Sequence, residues 1–132
     1  MEEVVQRAFA DMLDVSTDID KAILFSDDRV LASNIPEEVQ TAVLAQAHEL
    51  VRLAESKAQE MGWPLPTQMV VETPSGYVFL VRELQQDGMS ILATGKKRSH
   101  VGLVLYDLRA CIRDIREGSS GQENSPASAE EA

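Results

Sequence analysis

The densest group of side chains that could do chemistry lies in the segment GKKRSH, residues 95–100. It places four basic side chains next to a predicted helix N-terminus: Lys96, Lys97, Arg98 and His100. Backbone N–H groups at a helix start attract negative charge, so this segment could contact phosphate or an acidic partner. A solvated loop in an acidic protein is the alternative, and the sequence leaves both interpretations open.

The segment does not have the pattern of a nucleotide-binding P-loop. Its Gly95-Lys96 pair is followed by Lys97 instead of Ser or Thr, and Ser90 stands where the first glycine of that motif would be. The chain is therefore not expected to bind nucleotide in the P-loop manner.

Other catalytic and metal-binding patterns are absent from the sequence. His48 and His100 fall on different predicted elements, and the single cysteine, Cys111, belongs to no CxxC pair, so no metal or cofactor is expected. Asp27 and Asp28 are adjacent in a predicted turn, which their turn propensity explains better than a catalytic role does. We expect no enzyme activity.

Composition and charge limit the possible partners. The 132 residues carry a formal net charge of −10, which disfavours a nucleic-acid backbone as the main partner. The sequence contains no secretion signal and no apolar run long enough to enter a membrane, and the lone cysteine suits a reducing compartment, so a cytoplasmic location is expected. Residues 1–117 are predicted to form one domain, and the polar, apolar-poor residues 118–132 a disordered acidic tail.

Periodicity predicts eight elements in the order α-β-β-α-β-β-β-α. Helical patterns cover residues 2–13, 36–61 and 99–117, and strand patterns cover residues 19–25, 29–33, 68–73, 77–83 and 89–94. The last three strands are too close together for crossover helices, so they pair antiparallel. The predicted fold is α+β: a five-stranded antiparallel sheet with the long central helix on one face and the N- and C-terminal helices on the other.

The central helix, residues 36–61, has more apolar surface than one sheet requires. Its apolar positions cover about 180° of the helix, whereas packing on a single sheet needs about 100°. The strand from Gln68 is the one expected at a sheet edge, where Met69, Val70 and Val71 would be a liability unless something pairs with them. Both elements therefore lack a partner.

Three stretches give the chain a resemblance to the roadblock (dynein light chain) family, which is related to the longin folds. They are KAILFSDDRVLASNIPEE, QMVVETPSGYVFLVREL and SHVGLVLYDLRACIRDI, and together they cover most of residues 19–116. One departure is the first hairpin, where Arg29 follows Asp28 although this family often has Asp-Gly.

The resemblance implies a dimer joined through the central helices and through antiparallel pairing of the third strands. It assigns dimer contacts to eight residues: Val39, Val43, Ala47, Leu50, Ala54, Met69, Val70 and Val71. Bacterial and archaeal members of this family often regulate a small Ras-like GTPase, and eukaryotic members act as adaptors. The expected function is thus a non-enzymatic, homodimeric module that regulates or scaffolds such a GTPase or a related signalling complex. The alternative is a small-ligand sensor domain of the PAS or GAF type, with a ligand inside the sheet's concave face.

Overall fold

A computed structural model describes residues 2–123 and confirms the predicted element order. It contains three helices and five strands: α1 (Glu2–Val15), β1 (Ile19–Ser26), β2 (Arg29–Ser33), α2 (Glu37–Glu60), β3 (Gln68–Thr73), β4 (Gly76–Arg82), β5 (Ser90–Lys96) and α3 (Val101–Glu123). No helix in the described range is both long and apolar enough to cross a bilayer.

The five strands form one antiparallel sheet in the order β2-β1-β5-β4-β3. The strand from Gln68, now β3, is at one edge as predicted, and β2 forms the other. The chain returns between β1 and β2 through Asp27, which has a φ of 53°. Aspartate tolerates this left-handed conformation better than most residues, so the hairpin closes without the glycine of the Asp-Gly turn.

Helices cover both faces of the sheet, but unequally. On one face α1 and α3 pack over β1, β4 and β5, and 18 buried residues form a continuous core. On the other face α2 lies alone, and the buried cluster beneath it has five residues: Ile23, Phe25, Leu44, Ala47 and Leu80. The predicted arrangement of helices on the two faces is confirmed, and the α2 layer is much the thinner.

A β-bulge in β1 reverses the side-chain orientation that simple strand alternation would give. Strand alternation places Ile19 on the same face as Ile23 and Phe25, but the pairing of β1 with β5 shifts register between Ile19 and Lys21. The extra residue reverses the alternation, so Ile19 packs in the α1–α3 core while Ile23 packs under α2.

The helix ends differ from the predicted bounds by one or two residues, except at the end of α3. Pro36 is the N-cap of α2 instead of its first helical residue, and Gly62, with a φ of 70°, follows the helix in the left-handed conformation. The Trp63 N–H donates to the Ala58 carbonyl across this turn at 2.9 Å. Helix α3 begins at Val101 rather than at residue 99, and it continues from the predicted end at Glu117 to Glu123, which shortens the predicted tail. The rest of that tail, residues 124–132, lies outside the described residues.

A bidentate ion pair fastens α3 to the loop between β4 and β5. The Arg116 guanidinium donates to both carboxylate oxygens of Glu83 at 2.7–3.1 Å, and Glu83 also accepts the Met89 N–H at 2.8 Å. Burial by itself would raise the pKa of Glu83, but the hydrogen bonds from Arg116 and Met89 outweigh it and hold the pKa below its ordinary value. The pair therefore stabilises the folded state while Glu83 is ionised.

We expect Glu83→Gln to lower the free energy of unfolding by about 1.5–3 kcal/mol at pH 7, toward the lower end because Arg116 is partly solvated. A lowered folded-state pKa contributes stability that is fully present above the unfolded pKa of about 4.3, so the difference from wild type should shrink as the pH falls below that value and disappear only below the lowered folded-state pKa. Urea denaturation at pH 7 and at about pH 2 measures both effects. Glu60→Gln, which breaks only the exposed pair with Lys57, is the control and should change stability by less than about 0.5 kcal/mol. Equal losses in the two variants at pH 7 would contradict this account.

Candidate interaction surface

Helix α2 is long but shallowly packed. Of its 24 residues only Leu44 and Ala47 are buried. At 100° per residue, Val39, Val43, Leu50 and Leu53 fall within an arc of about 80° to one side of those two residues. Val39 and Leu53 are exposed, and Val43 and Leu50 are half-buried. This flank of α2 is thus an apolar strip that the described chain leaves uncovered.

The residues of α2 predicted for a dimer divide into two groups. Val39, Val43, Leu50 and Ala54 retain exposed or half-exposed surface and could contact a partner. Ala47 does not, because its side chain is completely buried against the chain's own sheet. The expectation for Ala47 therefore needs correction: the sequence pattern shows that it is apolar, but only the helix's rotation about its axis decides whether it faces inward.

Leu53 belongs to the same strip, and sequence reasoning did not include it among the interface residues. Its side chain is 60% exposed, more than that of any residue that was included. It lies at the margin of the 180° apolar arc, so the signal was present in the periodicity. Met61 and Trp63 continue exposed apolar surface beyond the end of α2.

The edge strand β3 is open to a partner. Val70 and Val71 are 40% and 41% exposed, and Met69 is half-buried against the cluster beneath α2, to which Val43 also packs. Met69 of the edge strand and Val43 of the apolar strip therefore pack against the same buried cluster, on one face of the sheet.

The backbone of β3 has a definite outward set of hydrogen-bonding groups. The Arg82 N–H donates to the Thr67 carbonyl at 2.9 Å, which makes these two residues a hydrogen-bonded pair. Alternation in an antiparallel ladder then turns the N–H and C=O of Met69 and Val71 toward β4. Those of Gln68, Val70 and Glu72 point away from the sheet, where another strand could pair with them.

The opposite edge strand, β2, is protected by α1. The Gln6 side-chain amide donates to the Leu31 carbonyl at 2.9 Å, and Leu31 and Ala32 pack against or within the core beneath α1. A side chain that occupies an edge carbonyl competes with strand pairing there. Of the two edges, β3 is therefore the one left open to another strand.

Polar contacts on the other flank of α2 fix the helix on the sheet. Arg82 donates to Glu55 at 2.8 Å and to the Pro66 carbonyl at 2.8 Å, and its side chain is largely buried. His48 lies 3.1 Å from the Asp27 carbonyl and packs edge-on against Phe25. With this flank held by the chain's own residues, the apolar strip is turned outward.

The basic segment at residues 95–100 is mostly engaged within the chain. Lys96 donates to the Thr17 carbonyl at 3.1 Å, and Lys97 donates to Glu72 at 3.1 Å. Arg98 is exposed and forms no hydrogen bond or ion pair with another described residue. The anion contact expected for Lys96, Lys97 and Arg98 thus stays a prediction, for which Arg98 is the best placed.

An internal carboxylate already occupies the start of α3. Asp18 accepts the His100 N–H at 3.1 Å and lies 3.5 Å from the His100 ring. This backbone hydrogen bond, followed by the side-chain contact with His100, holds the pKa of Asp18 below its ordinary value. Ser99 does not cap α3, because its hydroxyl donates to the Lys96 carbonyl and the helix begins at Val101.

The Cys111 thiol and the possible metal-ligating side chains of the described residues are not arranged as a reactive site. Cys111 is buried, and burial, with smaller contributions from Asp114 and Asp11, raises its pKa to about 12, so the thiolate is not populated at neutral pH. Within residues 2–123 no three His, Cys, Asp or Glu side chains converge as metal ligands would. The sheet face under α2 is filled by Ile23, Phe25 and Leu80, and no observation there favours a ligand sensor.

Comparison with known proteins bears on the fold. No protein-family model and no curated protein matches the sequence. Among solved structures, a Roadblock/LC7 domain from Streptomyces avermitilis is similar, with a TM-score of 0.72 at 18% identity over 84% of this chain and 93% of that one. MglB from Myxococcus xanthus has a TM-score of 0.74 at 9% identity, covering 91% of this chain and 90% of that one. The gliding protein MglB from Thermus thermophilus has a TM-score of 0.71 at 11% identity, covering 86% of each. The chain has the roadblock fold.

Proposed function

We propose that the chain is a homodimeric interaction module that binds a small Ras-like GTPase or a related signalling protein and regulates or scaffolds it. The observations that carry the dimer are the uncovered apolar strip of α2 and the open edge of β3. The proposal that the partner is a small GTPase rests on the family resemblance, and the fold shared with the MglB structures supports that proposal.

The strip and the edge satisfy two different physical requirements of an interface. Burying the strip residues Val39, Val43, Leu50 and Leu53 removes apolar surface from water, at roughly 25 cal/mol per Å². Pairing β3 with a second β3 satisfies the outward backbone groups of Gln68, Val70 and Glu72. A two-fold dimer could bury the strip and pair the β3 edge in a single interface, because a C2 interface uses the same patch on each protomer.

The proposed activity on a GTPase is exerted through binding. The chain has no P-loop sequence, and the thiol of Cys111 is held protonated by burial. Because no arginine of the sequence can be singled out as a finger, we propose that any acceleration of GTP hydrolysis comes from positioning the GTPase's own catalytic groups.

The strip can be tested by reversing its polarity. We expect Val43→Asp with Leu50→Asp to convert the dimer to a monomer at micromolar concentration, because each buried carboxylate without a partner costs several kcal/mol. Light scattering coupled to size-exclusion chromatography measures the mass. Leu84→Asp, which places a carboxylate at an exposed apolar position in the β4–β5 loop, is the control and should remain dimeric. A wild-type monomer at these concentrations would refute the dimer.

The strand edge can be tested separately with proline. Val70→Pro removes an outward N–H and leaves the ladder with β4 intact, so the monomer should fold while dimerisation weakens by at least about tenfold. Val70→Thr keeps the N–H and is the control, expected to dimerise like wild type. Sedimentation equilibrium gives the dimer constant, and circular dichroism confirms the fold. Unchanged dimerisation of the proline variant would exclude β3 pairing and leave α2 as the only contact.

The partner can be tested with nucleotide-dependent capture. Immobilised wild-type chain in native lysate should retain a small GTPase more strongly with a GTP analogue than with GDP, or the reverse, because switch segments differ between the two states. The Val43→Asp, Leu50→Asp variant is the comparison, and hydrolysis by the purified GTPase is then measured with and without the chain. Equal capture of the GTPase with both nucleotides, and by both the wild-type chain and the variant, would contradict a specific GTPase partner.

A further inference from the structure

A second exposed apolar patch lies on the other side of the sheet from α2. Its members are Val15 at the end of α1 and two residues on the outer side of α3, Leu103 and Tyr106, which are 72%, 59% and 52% exposed. Large apolar side chains exposed together, rather than singly, mark interaction surfaces. Neither the proposed dimer nor the core uses these three.

Beside this patch runs a groove between the two helices. Helices α1 and α3 are antiparallel here, since Val4 lies against Gly118 at one end and Val15 approaches Asp107 at the other. Small or flexible residues form its floor: Ala8, Met12, Ala110 and Cys111. The depression they leave has a volume of about 110 Å³, enough to seat part of an incoming side chain.

The walls of the groove are acidic. Asp11 on α1 and Asp107 and Asp114 on α3 line it, and no basic residue does. Asp114 is partly neutralised by Arg113 at 3.6 Å. Asp11 and Asp107 form no ion pair with any described residue, so their charges are available to a ligand.

The geometry points to a docking site for a basic amphipathic helix of a partner protein, with apolar side chains on Val15, Leu103, Tyr106 and the groove floor and lysine or arginine side chains on Asp11 and Asp107. Such a ligand brings the opposite charge to unpaired carboxylates and apolar area to the patch.

Charge excludes the two occupants that the chain itself could provide. A second copy presenting the same face would bring carboxylates against carboxylates, which is unfavourable in a two-fold contact. The chain's own residues 124–132 contain Glu130 and Glu131 and no lysine or arginine, so they would be repelled as well. A basic partner is the occupant that the electrostatics favour.

The probe is a synthetic helical peptide of leucine and lysine with the 14-residue length of α1, and its counterpart has glutamate in place of lysine. Isothermal titration with the full chain should show binding of the lysine peptide, weakening as salt is raised, and none of the glutamate peptide. Leu103→Gln with Tyr106→Ser should weaken binding by about tenfold or more, since buried aromatic anchors dominate such interfaces. Both positions are exposed on the outer side of a helix, so the fold should survive.

Two matched controls separate a site from general attraction to an acidic protein. Asp11→Asn with Asp107→Asn should weaken binding by about tenfold and flatten its salt dependence, whereas Asp28→Asn with Glu49→Gln, elsewhere on the surface, should not. Leu84→Gln is the control for the apolar pair. The α2 variant Val43→Asp, Leu50→Asp should bind the peptide normally, so this test succeeds or fails independently of the dimer.

Three results would overturn the proposal. Equal losses in the groove variants and their controls would show diffuse electrostatic attraction. Equal binding of the glutamate peptide would show that only the apolar patch matters. If the Leu103→Gln, Tyr106→Ser variant formed a smaller assembly than the wild-type chain, a second copy of the chain would be the occupant of this face.

Discussion

The structure depends on an unequal covering of one sheet. A β-sheet with apolar residues on both faces must be covered on both, and this chain supplies two helices for one face and one for the other. The single helix on the second face buries only Leu44 and Ala47, and within the described residues β3 has no neighbouring strand on its outer side. The proposed self-association follows from that shortage of cover, because a second protomer is the simplest source of another helix and another edge.

Polar contacts made by arginine hold this arrangement in place. Arg82 binds Glu55 beside α2, Arg116 binds Glu83 beneath α3, and Arg109 on α3 binds Gln68 at the start of β3. All three contacts join a helix to the part of the chain around β3 and β4. Three of the 12 lysine and arginine residues thus attach helices to the half of the sheet that contains β3 and β4. Among the carboxylates that line the α1–α3 groove, Asp114 pairs with Arg113, and Asp11 and Asp107 form no ion pair with a described residue.

Local patterns predicted most of the fold, and non-local contacts decided what they missed. Periodicity located all eight elements because each has a well-formed apolar face, and Gly62 ended α2 as its conformational freedom suggests. The orientation of Ile19 depends on a bulge opposite β5, which no local signal shows. The start of α3 is fixed by Asp18, 82 residues earlier in the chain than His100. Ala47 and Leu53 are both apolar positions of one helix, and their opposite burial depends on how α2 is rotated by contacts at His48 and Glu55.

The two candidate surfaces differ in the kind of partner that each can accept. The α2 strip is apolar beside an open backbone edge, and an edge strand pairs with any strand of matching register, including its own copy. Three carboxylates line the α1–α3 groove, of which Asp11 and Asp107 form no ion pair with a described residue, and a self-complementary contact there would oppose like charges. One face is therefore compatible with two-fold self-association and the other is not. A domain with this division can form a dimer through one side of its sheet while two identical grooves on the other side remain open to a different, basic partner.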